Sequence, residues 1–73
     1  MQKQDFSIAI GKRIVKLRTQ KGLSQRQLAF ACNKDPQSIE RVENGKSTPT
    51  VFYLKEVCDA LEVSLSDFFK DMP

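Results

Sequence analysis

Between Ser24 and Asn44 the chain has room for two helices and almost nothing to join them. Ser24 is a good N-cap, and Gln27 three residues later completes a capping-box pattern, so a helix is predicted over residues 25–32. Asn33 tolerates a positive φ and can end it. Asp35-Pro36 then reads as an N-cap followed by a first helical residue, opening a helix that runs to Asn44, where Asn44-Gly45 closes it. Two such short helices, linked by so few residues, must cross steeply, and a close crossing needs a small side chain where they touch. Ala29 meets that need. Ile39 and Val42 point the second helix into the core, which leaves Asp35, Pro36, Gln37, Ser38 and Arg41 facing outward at its front.

The rest of the chain reads as further helices. Phe6, Ile10, Ile14 and Leu17 recur at i, i+4, i+8 and i+11, an apolar stripe of helical period, with Lys12, Arg13, Lys16 and Lys21 on the remaining surface. Gly22 follows as a left-handed stop. After the loop Lys46-Ser47-Thr48-Pro49, Thr50 caps a helix in which Val51, Leu54, Val57, Cys58 and Leu61 share one face. Ser64 caps a last short helix from Leu65 to about residue 70. No segment alternates convincingly as a strand, and there is no internal repeat. The fold class is all-α, five helices in one domain: residues 1–7 as an N-terminal extension, 8–70 as the domain and 71–73 as a tail.

Composition narrows the chemistry. The 73 residues contain no His, the commonest general base and metal ligand, and only Cys32 and Cys58 as thiols. No four-ligand zinc site, disulfide framework, phosphate loop or paired-carboxylate cleft can be assembled, so neither a metal nor a cofactor is expected, and no enzyme activity. The cysteines read as small buried hydrophobes. No apolar run approaches the length of a membrane span or a signal-peptide core, so no membrane association is expected and the cytoplasm is the expected compartment.

Charge is segregated along the chain. Residues 1–49 hold ten Lys and Arg against Asp5, Asp35, Glu40 and Glu43, whereas residues 50–73 hold Lys55 and Lys70 against five acidic residues. A basic first two-thirds and an acidic last third suit one face turned toward phosphates and another turned away. They also suit ordinary solvated helix faces. The outward front of the Pro36 helix points further in the first direction. The major groove of double-stranded DNA admits one helix, and its base edges are read by amide and guanidinium groups such as those of Gln37 and Arg41.

The stretch Leu23-Ser24-Gln25, Leu28-Ala29, Ile39, Arg41-Val42-Glu43-Asn44-Gly45-Lys46 and Pro49 resembles the helix-turn-helix domain of phage repressor and Cro proteins, the XRE family. Leu54, Val57, Ala60-Leu61-Glu62-Val63-Ser64-Leu65-Ser66 and Phe68-Phe69 resemble its closing helices. The resemblance covers roughly residues 8–70 and implies a five-helix DNA-binding domain whose second and third helices form the reader. By position it implies that Gln25 holds a phosphate, and that Gln37, Ser38 and Arg41 contact bases or the adjacent backbone. Asn44, Lys46 and Ser47 would lie near phosphates. Arg18 and Glu43 would form a structural ion pair.

Departures from the pattern carry expectations of their own. Lys34 stands where an aliphatic residue is usual, so its stem lies along the surface with the ammonium in water or toward a phosphate. Pro36 has no polar side chain and can offer only apolar contact in the groove. Phe30, Phe52 and Tyr53 replace more usual polar residues and suggest a protein interface. One such helix reads only a few base pairs, so a homodimer on a roughly palindromic operator is expected, acting as a nucleoid-associated bacterial or phage-type repressor. Phe52, Tyr53, Leu65 and Phe68, on helices kept off DNA by their acidic charge, are the candidate dimer contacts. Two alternatives stay open: an antitoxin-like module that binds a partner protein and autoregulates its operon, and a bridging module without a specific DNA target. Partner proteins weighed with these readings are a toxin or RNA polymerase.

Overall fold

The computed structural model describes residues 1–70 and 72. Five helices follow in order: α1 Lys3–Gln20, α2 Gln25–Ala31, α3 Pro36–Glu43, α4 Val51–Leu61 and α5 Leu65–Phe69. Among the described residues there is no strand, and no helix is long and apolar enough to cross a membrane.

Local signals start and stop these helices. The side chains of Ser24, Asp35, Thr50 and Ser64 accept hydrogen bonds from the backbone N–H groups of Gln27, Gln37, Tyr53 and Asp67, at 3.0, 2.8, 3.0 and 3.0 Å. Each satisfies a donor the helix itself cannot, a contribution of about 1 kcal/mol per cap. Ser24 has the full reciprocal arrangement, its own N–H donating to Gln27 Oε1 at 2.8 Å. At the other ends, Gly22, Asn33, Gly45 and Glu62 all take left-handed φ, between 58° and 75°. The next residue then bonds back across the helix end: Leu23 to Arg18, Lys34 to Ala29, Lys46 to Arg41 and Val63 to Cys58, at 2.8–3.0 Å.

Packing follows the apolar periods. Ile10 and Ile14 of α1, Leu28 and Ala29 of α2, Ile39 and Val42 of α3, Leu54, Val57, Cys58 and Leu61 of α4 and Phe68 of α5 form the core. α3 packs against both α1 and α2, and α4 against α2 and α5. The approach of α1 to α3 depends on Gly11: a Cβ there would sit 2.4 Å from the carbonyl oxygen of Glu43 and 2.6 Å from that of Val42. Both cysteines are buried free thiols, and burial raises the pKa of each.

Four expectations are corrected here. Residues 3–7, expected to precede the domain, form the first turns of α1; Ser7 is buried, bonded to the Lys3 carbonyl at 3.1 Å and the Thr48 hydroxyl at 2.5 Å. Of the 71–73 tail, Met72 packs against the core, and Asp71 and Pro73 lie outside the described residues. Val51, assigned to the inner face of α4, is 73% exposed: the core takes Leu54, Val57, Cys58 and Leu61 from that face and leaves its first residue outside. Arg13, read as surface decoration, donates to the Phe68 and Asp67 carbonyls of α5, both at 2.9 Å. A cation on the carbonyls at a helix end is favourable. It ties the shortest helix to the longest.

Candidate nucleic-acid interface

The residues around α3 fall into an inner frame and an outer face. In the frame, the Arg18 guanidinium donates to both carboxylate oxygens of Glu43, from Nε at 2.7 Å and Nη2 at 3.1 Å, and to the Leu23 carbonyl at 2.9 Å. Gln25 at the start of α2 donates its amide Nε2 to Glu43 Oε1 at 2.7 Å. The Glu43 side chain is 2% exposed and that of Arg18 13%. Three helices therefore converge on one buried carboxylate, and the exit of α3 is held from two sides. A buried charge this well bonded fixes geometry, whatever its net contribution to stability.

On the outer face, Asp35, Pro36, Gln37 and Arg41 are exposed. Among the described residues the side chains of Gln37 and Arg41 make no hydrogen bond or ion pair, so their donors point into solvent. Asn44 and Lys46 are exposed just beyond α3, and Ser47 is half-buried. Lys46 and Ser47 line an open hollow of about 450 Å³ with Lys3, Gln4, Ser7, Gly45 and Thr48. Lys3 and Gln4 were not anticipated at this face, because only folding brings the first turn of α1 beside the α3 exit; Gln4 donates to the Gly45 carbonyl at 3.3 Å.

Two candidates behave differently from expectation. Lys34 is neither in open water nor turned to the outer face. Its ammonium is bonded to Glu56 on α4 and lies 4.8 Å from the centroid of the Tyr53 ring. The hydrogen bond to Glu56 raises its pKa, so the ammonium stays protonated while it is paired within the protein. Ser38 is half-buried, its hydroxyl 2.8 Å from that of Tyr53. Glu56 went unrecognised in the sequence because a Glu on a solvated helix face gives no local sign of a partner 22 residues away.

The candidate dimer contacts also divide. Phe68 is fully buried, in edge-on contact with Phe69 at 5.2 Å between ring centroids, so it serves the core and cannot be a surface contact. Leu65 and Tyr53 are partly buried against that core, and the Tyr53 hydroxyl is taken by Ser38. Phe52 remains, 71% exposed beside Val51, and Phe30 on α2 is 89% exposed.

A pair of short helices joined by a tight left-handed turn, the second resting on the first and on α1 with its polar front outward, is one motif. The helix-turn-helix family model matches residues 14–68, about three quarters of the chain. The chain belongs to the helix-turn-helix family. Its helix-turn-helix relatives include the transcriptional regulator PuuR of Escherichia coli, 34% identical over 67 residues, or 92% of this chain. The match spans 36% of PuuR, just over a third of its length. The restriction-modification controller protein C.AhdI from Aeromonas hydrophila superposes with a TM-score of 0.86 at 31% identity, over 89% of this chain and 98% of that one. The controller C.Esp1396I, as a tetramer in complex with its natural 35-base-pair operator, superposes with a TM-score of 0.83 at 31% identity, over 88% and 84% of the two chains. The helix-turn-helix of this chain, α2 and α3, is the pair pinned by Glu43.

Proposed function

We propose that this protein is a sequence-specific DNA-binding transcriptional regulator, a repressor that acts as a homodimer on a roughly palindromic operator. The observation that carries the reading is the front of α3, where Gln37 and Arg41 stand exposed and uncommitted on a helix held rigidly from behind by Arg18, Glu43 and Gln25. Rigidity behind and free donors in front are what base reading requires. Gln37 and Arg41 read base edges. Asn44, Lys46, Ser47 and the second amide N–H of Gln25 hold phosphates, supplying most of the affinity and its salt dependence. Lys34, engaged by Glu56, has no part in this face.

Two copies would read half-sites about one helical turn, roughly 34 Å, apart. The operator-bound tetramer of C.Esp1396I supports multimeric action. Phe52 and Val51 at the start of α4 are the exposed apolar residues left from the candidate dimer set. The regulator acts where the DNA is, in the cytoplasm, and has no enzyme activity. A second reading, a module that binds a partner protein and autoregulates its operon, is favoured by Phe30, whose exposed ring on α2 has no role in the α3 front.

Selection of bound duplexes from a random pool, followed by anisotropy titration of the winner and a scrambled control at two salt concentrations, tests the proposal. A recurrent, near-palindromic sequence bound at least a hundredfold more tightly than the control is expected. Equal affinity for both duplexes would leave only non-specific binding.

A further inference from the structure

α4 lies behind the outer face, yet one of its side chains reaches into it. Tyr53 and Glu56, one helical turn apart, grip the two ends of a short piece of chain: Glu56 holds Lys34 just before α3, and the Tyr53 hydroxyl meets Ser38 in its first turn. The Lys34 ammonium over the Tyr53 ring closes the cluster. Thr50, capping α4 through the N–H of Tyr53, fixes the root of the tyrosine. The ring is thus fixed by its backbone, by the cation above it and by the serine at its tip.

A phenol is a better donor than an alkyl hydroxyl, and the serine oxygen is the better acceptor, which favours Tyr53 as donor and Ser38 as acceptor across their 2.8 Å contact. Burial raises the phenol's pKa, which keeps its proton in place. Ser38 then has its own proton left over. A serine in a helix commonly returns that proton to the carbonyl one turn back. Among the described residues the Ser38 hydroxyl makes no such bond, and its one hydrogen-bond partner is the Tyr53 hydroxyl. The leftover proton then has no acceptor among the described residues, on a half-buried side chain in the same turn as Gln37.

Resting on the DNA-binding reading above, we infer that Tyr53 is a positioning residue for recognition: by occupying the Ser38 oxygen as an acceptor, it turns the Ser38 hydroxyl into an outward donor for an acceptor atom on the duplex. That atom is a phosphate oxygen or a base-edge oxygen or nitrogen. Tyr53 itself does not touch DNA. Without its hydroxyl, Ser38 is free to bond back to its own helix, and the outward donor is lost. The sequence suggested an exposed aromatic for a dimer; the structure gives the same residue a place in the reader.

The test is a double-mutant cycle of Tyr53→Phe and Ser38→Ala in the full chain, read by anisotropy on the selected duplex and on its scrambled control. Tyr53→Phe keeps the ring under Lys34, so its thermal midpoint should stay near wild type. It should weaken binding to the selected duplex about 3–10-fold, the worth of one hydrogen bond. Ser38→Ala should cost a similar factor, and adding Tyr53→Phe to it should cost nothing further. A loss confined to the selected duplex assigns the acceptor to a base edge; an equal loss on both assigns it to a phosphate. Unchanged binding by Tyr53→Phe, or the same loss with and without Ser38, overturns the inference while leaving DNA binding intact. A wild-type chain that binds neither duplex overturns the DNA-binding reading and the inference with it.

Discussion

The Glu43 carboxylate receives Arg18 through two hydrogen bonds, of 2.7 and 3.1 Å, and so joins the end of α1 to the end of α3. With Glu43 buried, Arg18→Ala strands a charge that only Gln25 still bonds. The expected loss is about 3 kcal/mol, at the lower edge for a broken buried pair because Gln25 remains. For a chain of this size that lowers the thermal midpoint by roughly 12–24 °C, measurable by circular dichroism. Arg18→Met combined with Glu43→Leu should cost much less, since no charge is left unpaired. A midpoint unmoved by Arg18→Ala would show that the pair holds nothing.

Gly11 offers a prediction in which packing and propensity disagree. Alanine is the better helix former by about 1 kcal/mol, so an exposed Gly11 would gain by the change. Here the added methyl meets backbone oxygens of Val42 and Glu43, which cannot rotate away. Gly11→Ala should therefore lower the thermal midpoint and displace α3 from α1. A higher midpoint by thermal melting would refute the close approach.

Glu62 should respond in the opposite sense. Its φ of 61° is costly for a residue with a Cβ and costs glycine nothing. Its carboxylate is bonded to Lys21, which lowers its pKa, but both side chains are well exposed and such pairs contribute little. Glu62→Gly is expected to raise the thermal midpoint by a few degrees. Equal or lower stability in calorimetry would mean that the Lys21 contact outweighs the backbone strain.

Arg41 and Lys46 separate base reading from phosphate holding. Arg41→Ala should weaken binding to the selected duplex by about 1–3 kcal/mol and relax the preference at one base position. Lys46→Ala should weaken all duplexes alike and reduce the slope of log affinity against log salt by about 1. Titrations of both variants across a panel of single-base substitutions decide the matter. Identical profiles for the two would remove Arg41 from the base-reading set.

Much of the fold can be read locally. The caps at Ser24, Asp35, Thr50 and Ser64 and the left-handed stops at Gly22, Asn33 and Gly45 act over three to five residues, so each leaves its mark in a short stretch of chain. The inward pair Ile39 and Val42 follows from helical period alone, and with it the outward set of Gln37 and Arg41. The belonging of nearly the whole chain to one family was legible for the same reason: its anchors are local and ordered.

Partnership between distant side chains was settled only by folding. Nothing adjacent to Lys34 announces Glu56, nothing near Arg13 announces the carbonyls of α5, and a period that makes Phe68 and Phe52 equally apolar does not say which one the core will enclose. Such choices depend on how helices cross, and crossing depends on where bulk is absent, as at Gly11 and Ala29. Sequence alone determined how many helices form, where most of them begin and end and most of the faces they bury, because those forces act within a turn. Tertiary structure decided which charges are spent inward and which stay free to meet a ligand, because hydrogen bonds and ion pairs need distances that only the packed chain sets.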